Sequence, residues 1–399
     1  LLPYDTVVFT YESKNLIPKK ILNRENPEAV CEIIEESGKK KIKLVGNNKF
    51  PIHLSIKNLV EQDMSLSDLP IGTRILVNIT TEEFDGVYEA EFIEILGHKD
   101  DLDAELTAIG YNNGFRIRHT KEELEQVANT PTELQKDDYQ NRVDFRHENI
   151  FTIDGEHTKD MDDAVGLKKL PNGNYLLNVS IAAVAYYIKP GSPLWERAEQ
   201  NTTSLYLIDS VSHMLHYQIS NGICSLNPNV DRLAKSFLIE IDKTGNIIDF
   251  QIVDSVINSK KKMSYEKVNQ LLDQDEISKG YEPFIKDLLL MQELSTIISE
   301  RRRKNGALDF DSSEISFMLD ENKNIVDVEV TKQGTAQKII ENFMIITNEG
   351  MADYMLKQGL TFVYRNHEIP FHEKLKETIN LIKSIGYRFE AAKNTDDPH

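Results

Sequence analysis

Glu148-Asn-Ile-Phe-Thr-Ile-Asp-Gly-Glu-His-Thr-Lys-Asp-Met-Asp-Asp-Ala-Val165 is the stretch on which the reading of this chain turns. The run 148–153 is largely apolar and β-branched, so it reads as a strand that delivers Asp154 at its end. Four carboxylates, Asp154, Asp160, Asp162 and Asp163, then fall within ten residues. Crowding of this kind is repulsive unless cations hold the carboxylates together. Hard oxygen donors suit Mg²⁺ or Mn²⁺, which keep positions open for waters and phosphate oxygens. A strand feeding a carboxylate loop is a platform for two-metal phosphodiester chemistry. On composition alone the same residues also fit a solvated loop or a calcium-stabilised surface element. A calcium EF-hand is excluded, because a loop counted from Asp154 has Lys159 where glycine is needed and Val165 where glutamate is needed.

Residues 203–236 narrow the choice. They contain Thr203-Ser-Leu-Tyr-Leu-Ile-Asp, then His213-Met-Leu, then Ile219-Ser-Asn-Gly-Ile-Cys-Ser-Leu-Asn-Pro-Asn-Val-Asp-Arg-Leu-Ala-Lys-Ser. Further on come Gly306-Ala-Leu-Asp-Phe-Asp, Ile339-Ile-Glu-Asn-Phe-Met and Tyr364-Arg-Asn-His-Glu-Ile-Pro. Taken in this order with the acidic run, these motifs closely resemble the ribonuclease II / ribonuclease R family over roughly residues 40 to 390. The resemblance implies a hydrolytic exoribonuclease that trims single-stranded RNA from its 3′ end and releases nucleoside 5′-monophosphates. It places Asp154, Asp160, Asp162 and Asp163 on the family's acidic metal-binding motif, with Mg²⁺ (or Mn²⁺) as the cofactor. Tyr206 and Phe310 match the aromatic pair that clamps the terminal base, and Glu341 an acidic residue near the RNA 3′ end. Elementary chemistry agrees: one cation activates the attacking water and a second steadies the departing 3′ oxygen. Aromatic faces suit a sequence-tolerant nuclease because every base has a π-face. Without the resemblance, Tyr206 and Phe310 read as ordinary core residues.

The chain departs from the family pattern in places. The segment Val179-Ser-Ile-Ala-Ala-Val-Ala-Tyr-Tyr-Ile carries Ser180, Ala183 and Ala185 where His, Asp and Ser are common. Asn201-Thr202 replaces a frequent Arg-Gly, and Ser212-His213 a hydrophobic residue followed by Pro. A catalytically impaired, RNA-binding relative is therefore a second reading beside the enzyme. The family's Arg-rich phosphate-gripping segment and C-terminal oligonucleotide-binding barrel find no match, so the resemblance implies a piece of a longer protein.

The expected fold class is α+β: small cold-shock (oligonucleotide-binding) barrels followed by a mixed α/β RNB catalytic domain. The expected boundaries are a partial first barrel at 1–38, a second at 39–100, a helical connector at 101–147 and the N-terminal portion of the catalytic domain at 148–399. Strands are expected at Thr6–Tyr11, Glu28–Ile34, Lys41–Val45, Arg74–Ile79 and Val87–Leu96, bounded by turn residues. Phe50, Phe84 and Phe92 could stack bases, although core roles are the commoner use, and Lys39–Lys41 reads as a solvated turn. Helices are expected at Thr120–Val127, Ser264–Asp273, Tyr281–Lys304, Thr335–Lys357 and Phe371–Ile385. Arg301-Arg302-Arg303-Lys304 complement a helix C-terminal dipole and, placed just before Phe310, are candidates for phosphate contact.

Composition sets the remaining bounds. The 399 residues suffice for two or three domains. Two cysteines, Cys31 and Cys224, are too few for a disulfide framework and point to a reducing cytoplasm. No run approaches the ~20 apolar residues of a membrane span. No membrane partner or small-molecule cofactor is expected, and the protein is expected to be a monomer. His98, His213 and His216 lack metal-ligand spacing. The net charge of −19 runs against a basic RNA footprint and predicts weak, salt-sensitive RNA binding by this chain.

Overall fold

The computed structural model describes residues 5–12, 15–24, 27–46, 51–61, 63–84, 87–208, 210–308, 313–321, 324–366 and 371–387. The chain forms two compact units. Unit 1 comprises residues 1–130, 185–220 and 317–327, and unit 2 residues 131–184, 221–316 and 328–399.

In unit 1, strands Asp5–Glu12 and Asn15–Arg24 form an antiparallel hairpin. The second of these strands is not legible in the sequence, where Pro18 and two lysines break the apolar pattern. A five-stranded sheet follows, ordered Lys39–Leu44, Glu28–Glu36, Thr73–Phe84, Val87–His98, Ile52–Leu54. Ile33, Ile42, Ile75, Val77, Ile79, Ala90 and Phe92 fill its interior. Phe92 is thus a core residue; Phe50 lies outside the described residues.

This sheet corrects the boundary expected at 38/39. Ser37 and Gly38 both have positive φ (55° and 72°), which is the geometry of a tight two-residue hairpin turn rather than of a linker. Glu36 therefore pairs with Lys39, and the barrel sheet begins at Glu28. Lys39–Lys41 accordingly lie in a strand. Lys40 Nζ donates to the carbonyls of Ser67 (2.5 Å) and Leu69 (2.6 Å), and Lys41 pairs with Glu36 at 2.7 Å.

After the sheet come helices Leu102–Asn112 and Lys121–Asn129. Thr120 and Glu123 close a reciprocal capping box on the second helix. The connector ends earlier than residue 147. Val143–Asp144 already adds a parallel edge to the sheet of unit 2 against Ser255–Val256, and Phe145 N–H bonds to Val256 O at 2.9 Å.

The sheet of unit 2 is ordered Asp163–Lys169, Tyr175–Ala182, Asp231–Ile241, Ile247–Asn258, Val143–Asp144. One face presents Val165, Leu167, Leu177, Val179, Ile239 and Ile241. Against it pack helices Tyr265–Gln274, Ile285–Lys304 and Thr335–Lys357 through Leu271, Leu288, Leu294, Ile298, Ile339 and Phe343. Period-2 alternation on the strands and 3.6-residue periodicity on the helices meet in one apolar layer. The opposite face holds a buried polar ladder. Ser180 Oγ–H donates to Asn178 Oδ1 (3.0 Å), Ser180 and Ser236 hydroxyls share a 2.6 Å bond, and Ser236 and Ser255 one of 2.7 Å. Ser180 is fully buried, and its polar demand is met inside the sheet.

The other departures also have local explanations. Asn201 is buried in unit 1 and brackets the backbone of Arg116, accepting its N–H at 2.9 Å and donating to its carbonyl at 3.0 Å. Thr202 caps helix Pro193–Asn201 in the left-handed region at φ 60°, a conformation that glycine adopts freely and a β-branched residue adopts under strain.

Candidate active site

The acidic run lies where two strands of unit 2 meet. The short strand Thr152–Asp154 pairs in parallel with Lys262–Ser264, placing Asp154 beside Ser264. Phe151 bridges Val165, so Asp154 emerges next to the start of strand Asp163–Lys169, whose first residue is Asp163. Between these anchors the loop is tied down along its length. Lys262 Nζ donates to Glu156 O at 2.9 Å and also to Thr158 O. Ser225 Oγ accepts Met161 N–H at 3.1 Å and donates to Lys159 O at 2.8 Å. Leu226 N–H bonds to Met161 O and Ala182 N–H to Asp162 O, both at 2.9 Å. Lys267 adds a 2.7 Å ion pair to Glu156. Backbone bonds of this kind fix where the carboxylates project.

The charges are strongly coupled. Burial, then the charge of Asp163, pushes the Asp154 carboxyl up to about 7, with the nearby Thr152 hydroxyl and then Lys262 opposing. Burial, then the charge of Asp162, pushes Asp163 up to about 6. Asp162 is also raised, first by desolvation under neighbouring protein and then by Asp160, although its side chain keeps solvent access. Asp154 Oδ2 is buried without a hydrogen-bond partner. A buried carboxylate oxygen left unpaired costs about 1–3 kcal/mol or more, and a cation is the partner that removes the cost. The donor set, all hard oxygens, fits Mg²⁺ or Mn²⁺. Among the described residues no three His, Cys, Asp or Glu side chains close on a common point. The loop therefore gathers candidate donors without forming a finished cage.

The other expected residues fall on other elements of the chain or outside the described residues. Tyr206 is 67% exposed on the small hairpin Leu205–Tyr206/Val211–Ser212 of unit 1. Glu341, on helix Thr335–Lys357, accepts from Gln333 Nε2 at 2.6 Å and lies 3.8 Å from Arg302. Phe310 lies outside the described residues, as does His367–Pro370. In the basic run, Arg301 pairs with Glu349 at 2.5 Å and Arg302 donates to Asn342 at 3.0 Å, so these two cations bind helix to helix. Cys224 is buried, and its thiol is pushed up to about 12, first by burial and then by the charge of Asp162. It is inert packing beside the loop.

Ser225 and Lys262 were not visible as site residues in the sequence. Their signals were present, Ser225 inside the Cys224-Ser-Leu motif and Lys262 in a run of three lysines, but nothing local connects either to residues 156–161.

Residues 142–397 match the RNB domain. This chain belongs to the RNB family. It is 44% identical over 304 residues to ribonuclease R of Thermotoga maritima, covering 75% of this chain and 43% of that protein. Against ribonuclease R of Mycoplasmopsis pulmonis it is 32% identical over 389 residues, covering 97% of this chain and 52% of the relative. The chain thus spans about half the length of the curated relatives it matches. The structure of Mycoplasma genitalium RNase R in complex with ribose methylated single-stranded RNA superposes with a TM-score of 0.84 at 24% identity, over 98% of this chain and 62% of that one. That likeness confirms the fold: an oligonucleotide-binding-type sheet preceding an RNB domain. Among the described residues no helix is long and apolar enough to cross a membrane.

Proposed function

We propose that this chain carries the catalytic loop of a 3′-to-5′ exoribonuclease that hydrolyses single-stranded RNA to nucleoside 5′-monophosphates. The observation that carries this reading is Asp154 Oδ2, buried without a partner among carboxyls that raise one another. A cation is the partner that would most relieve a buried, unpaired carboxylate oxygen among like charges. Asp154, Asp160, Asp162 and Asp163 would hold two Mg²⁺ or Mn²⁺ ions, with waters and RNA phosphate oxygens completing each shell. When bound, such a cation supplies Lewis-acid activation of water and charge neutralisation on the phosphodiester. Ser225, Leu226, Ala182 and Lys262 keep the loop in place, so the carboxylates need not be reorganised as substrate arrives. Tyr206 and Phe310 would clamp the terminal base, and Glu341 would stand near the RNA 3′ end. A reducing cytoplasm suits the two buried free thiols, Cys31 and Cys224.

The impaired-relative reading loses its main support. Ser180 is satisfied inside the sheet ladder, Ala183 contributes a backbone N–H to Leu233 O at 3.0 Å, and all four aspartates are present.

The test uses the full-length protein containing this chain, 5′-labelled single-stranded RNA and Mg²⁺. Stepwise 3′ shortening is expected, with mononucleotide release reduced at least about 10³-fold by Asp162→Asn while folding survives. Intact RNA in the presence of tight binding would refute the reading.

A further inference from the structure

Unit 1 contains a stack of rings that the acidic loop does not explain. Its root is Glu123, 1% exposed, which closes the capping box with Thr120. Arg116 and the fully buried Arg197 (3.4 Å) pair with the Glu123 carboxylate, and His119 Nδ1 lies 3.1 Å from it. Arg197 is itself locked by bonds to Arg118 O (2.8 Å) and Arg116 O (2.7 Å). From this anchor the rings continue outward. His216 meets His119 edge-on with centroids 4.8 Å apart and planes at 67°. Tyr217 then lies over His216 at 4.4 Å and 34°. The series ends in solvent, since Tyr217 is 55% exposed.

An exposed aromatic ring that is already backed by another ring has lost most of its rotamer freedom before any partner arrives. A partner that stacks on it therefore avoids much of the ordering cost, about 0.5–1.5 kcal/mol per side chain. The inner ring is suited to the role. Burial, then the neighbouring charges of His119, Arg197 and His213, lowers the His216 pKa, which favours the neutral imidazole, a ring that packs without desolvating a charge. The same unit presents the exposed Tyr206. Ser204, just before that hairpin, accepts Met214 N–H at 3.1 Å, three residues from Tyr217. Stacking on exposed aromatic rings is the sequence-tolerant mode by which proteins grip unpaired bases.

We propose that Tyr217 is a base-stacking platform for single-stranded RNA, additional to Tyr206 and positioned by the His216–His119–Glu123 series. The assignment deepens the exoribonuclease reading and rests on it. It belongs to the ring stack rather than to net charge, so its contribution is insensitive to salt.

The experiment uses full-length protein in an Asp162→Asn background and measures RNA affinity by fluorescence anisotropy at two salt concentrations. A second probe is 2-aminopurine, placed at successive positions of the RNA, whose emission is quenched by stacking. Tyr217→Ala is expected to weaken binding by roughly 5- to 150-fold, the range that corresponds to one stacked base at about 1–3 kcal/mol. The salt dependence should be unchanged, and one 2-aminopurine position should regain emission. Tyr217→Phe should bind within about twofold of the parent. Equal affinity and unchanged quenching in Tyr217→Ala, with the parent binding RNA, would overturn the platform while leaving the nuclease reading intact. Absence of RNA binding by the parent itself would overturn both.

Discussion

Asp154→Asn should stabilise the metal-free protein, and the gain should depend on pH in one direction. Moving a carboxyl from its ordinary 3.8 to about 7 corresponds to about 4 kcal/mol of penalty on the ionised form in the fold. That figure is an upper bound. The group keeps partial solvent access, and its titration is shared with Asp162 and Asp163, so about 1–2 kcal/mol is expected. The folded value lies above the unfolded one, so the acid is protonated in both states below about pH 4 and no penalty exists there. As pH rises from 4 to 7 the unfolded state releases its proton first and stability is lost. Above about 7 the loss is complete. Asparagine has nearly the same shape without the charge, so the variant should match the parent near pH 4 and exceed it by about 1–2 kcal/mol at pH 8. Urea unfolding followed by circular dichroism, in EDTA at pH 4.5, 6 and 8, measures the difference. Millimolar Mg²⁺ should then narrow or reverse it at pH 8, because a ligand that binds only the fold stabilises by mass action. A variant less stable than its parent at pH 8 in EDTA, or a gain that does not change with pH, would refute the claim that Asp154 is held against its charge.

Ser225→Ala removes a hydroxyl that serves Met161 N–H and Lys159 O at once. It should cost about 1–3 kcal/mol in urea unfolding and raise the Mg²⁺ concentration for half-maximal activity of the full-length enzyme. Thr202→Gly relieves a left-handed β-branched residue. Because glycine also loses more freedom on folding, the net gain should be about 0.5–1 kcal/mol, read as a rise in the melting temperature with activity unchanged.

The acidic site was legible because its parts are contiguous: a β-branched run and four aspartates within ten residues announce both the strand end and the donors. The long helices were legible for the same kind of reason, since Thr120, Ser264 and the basic run at 301–304 mark their ends locally. The barrel boundary was misplaced because Ser37-Gly38 signals a turn without saying whether the chain doubles back or passes on. Only the pairing of Glu36 with Lys39 decides that. The departure at Ser180 reads in sequence as a polar group lost near the site, and only the register that sets Ser180 opposite Ser236 gives it a place in a hydroxyl ladder inside the sheet.

Sequence by itself thus determined the family and the α+β class and singled out four carboxylates as candidate metal donors, because short-range patterns encode strand ends, helix periods and donor types. Tertiary structure decided which groups hold those carboxylates and at what electrostatic cost. Ser225 lies 64 residues from Met161 and Lys262 lies 104 from Thr158, separations across which no local pattern reports a contact. The raised carboxyls of Asp154 and Asp163 likewise arise from burial and from the meeting of two strands, which exist only once the sheet has closed around them.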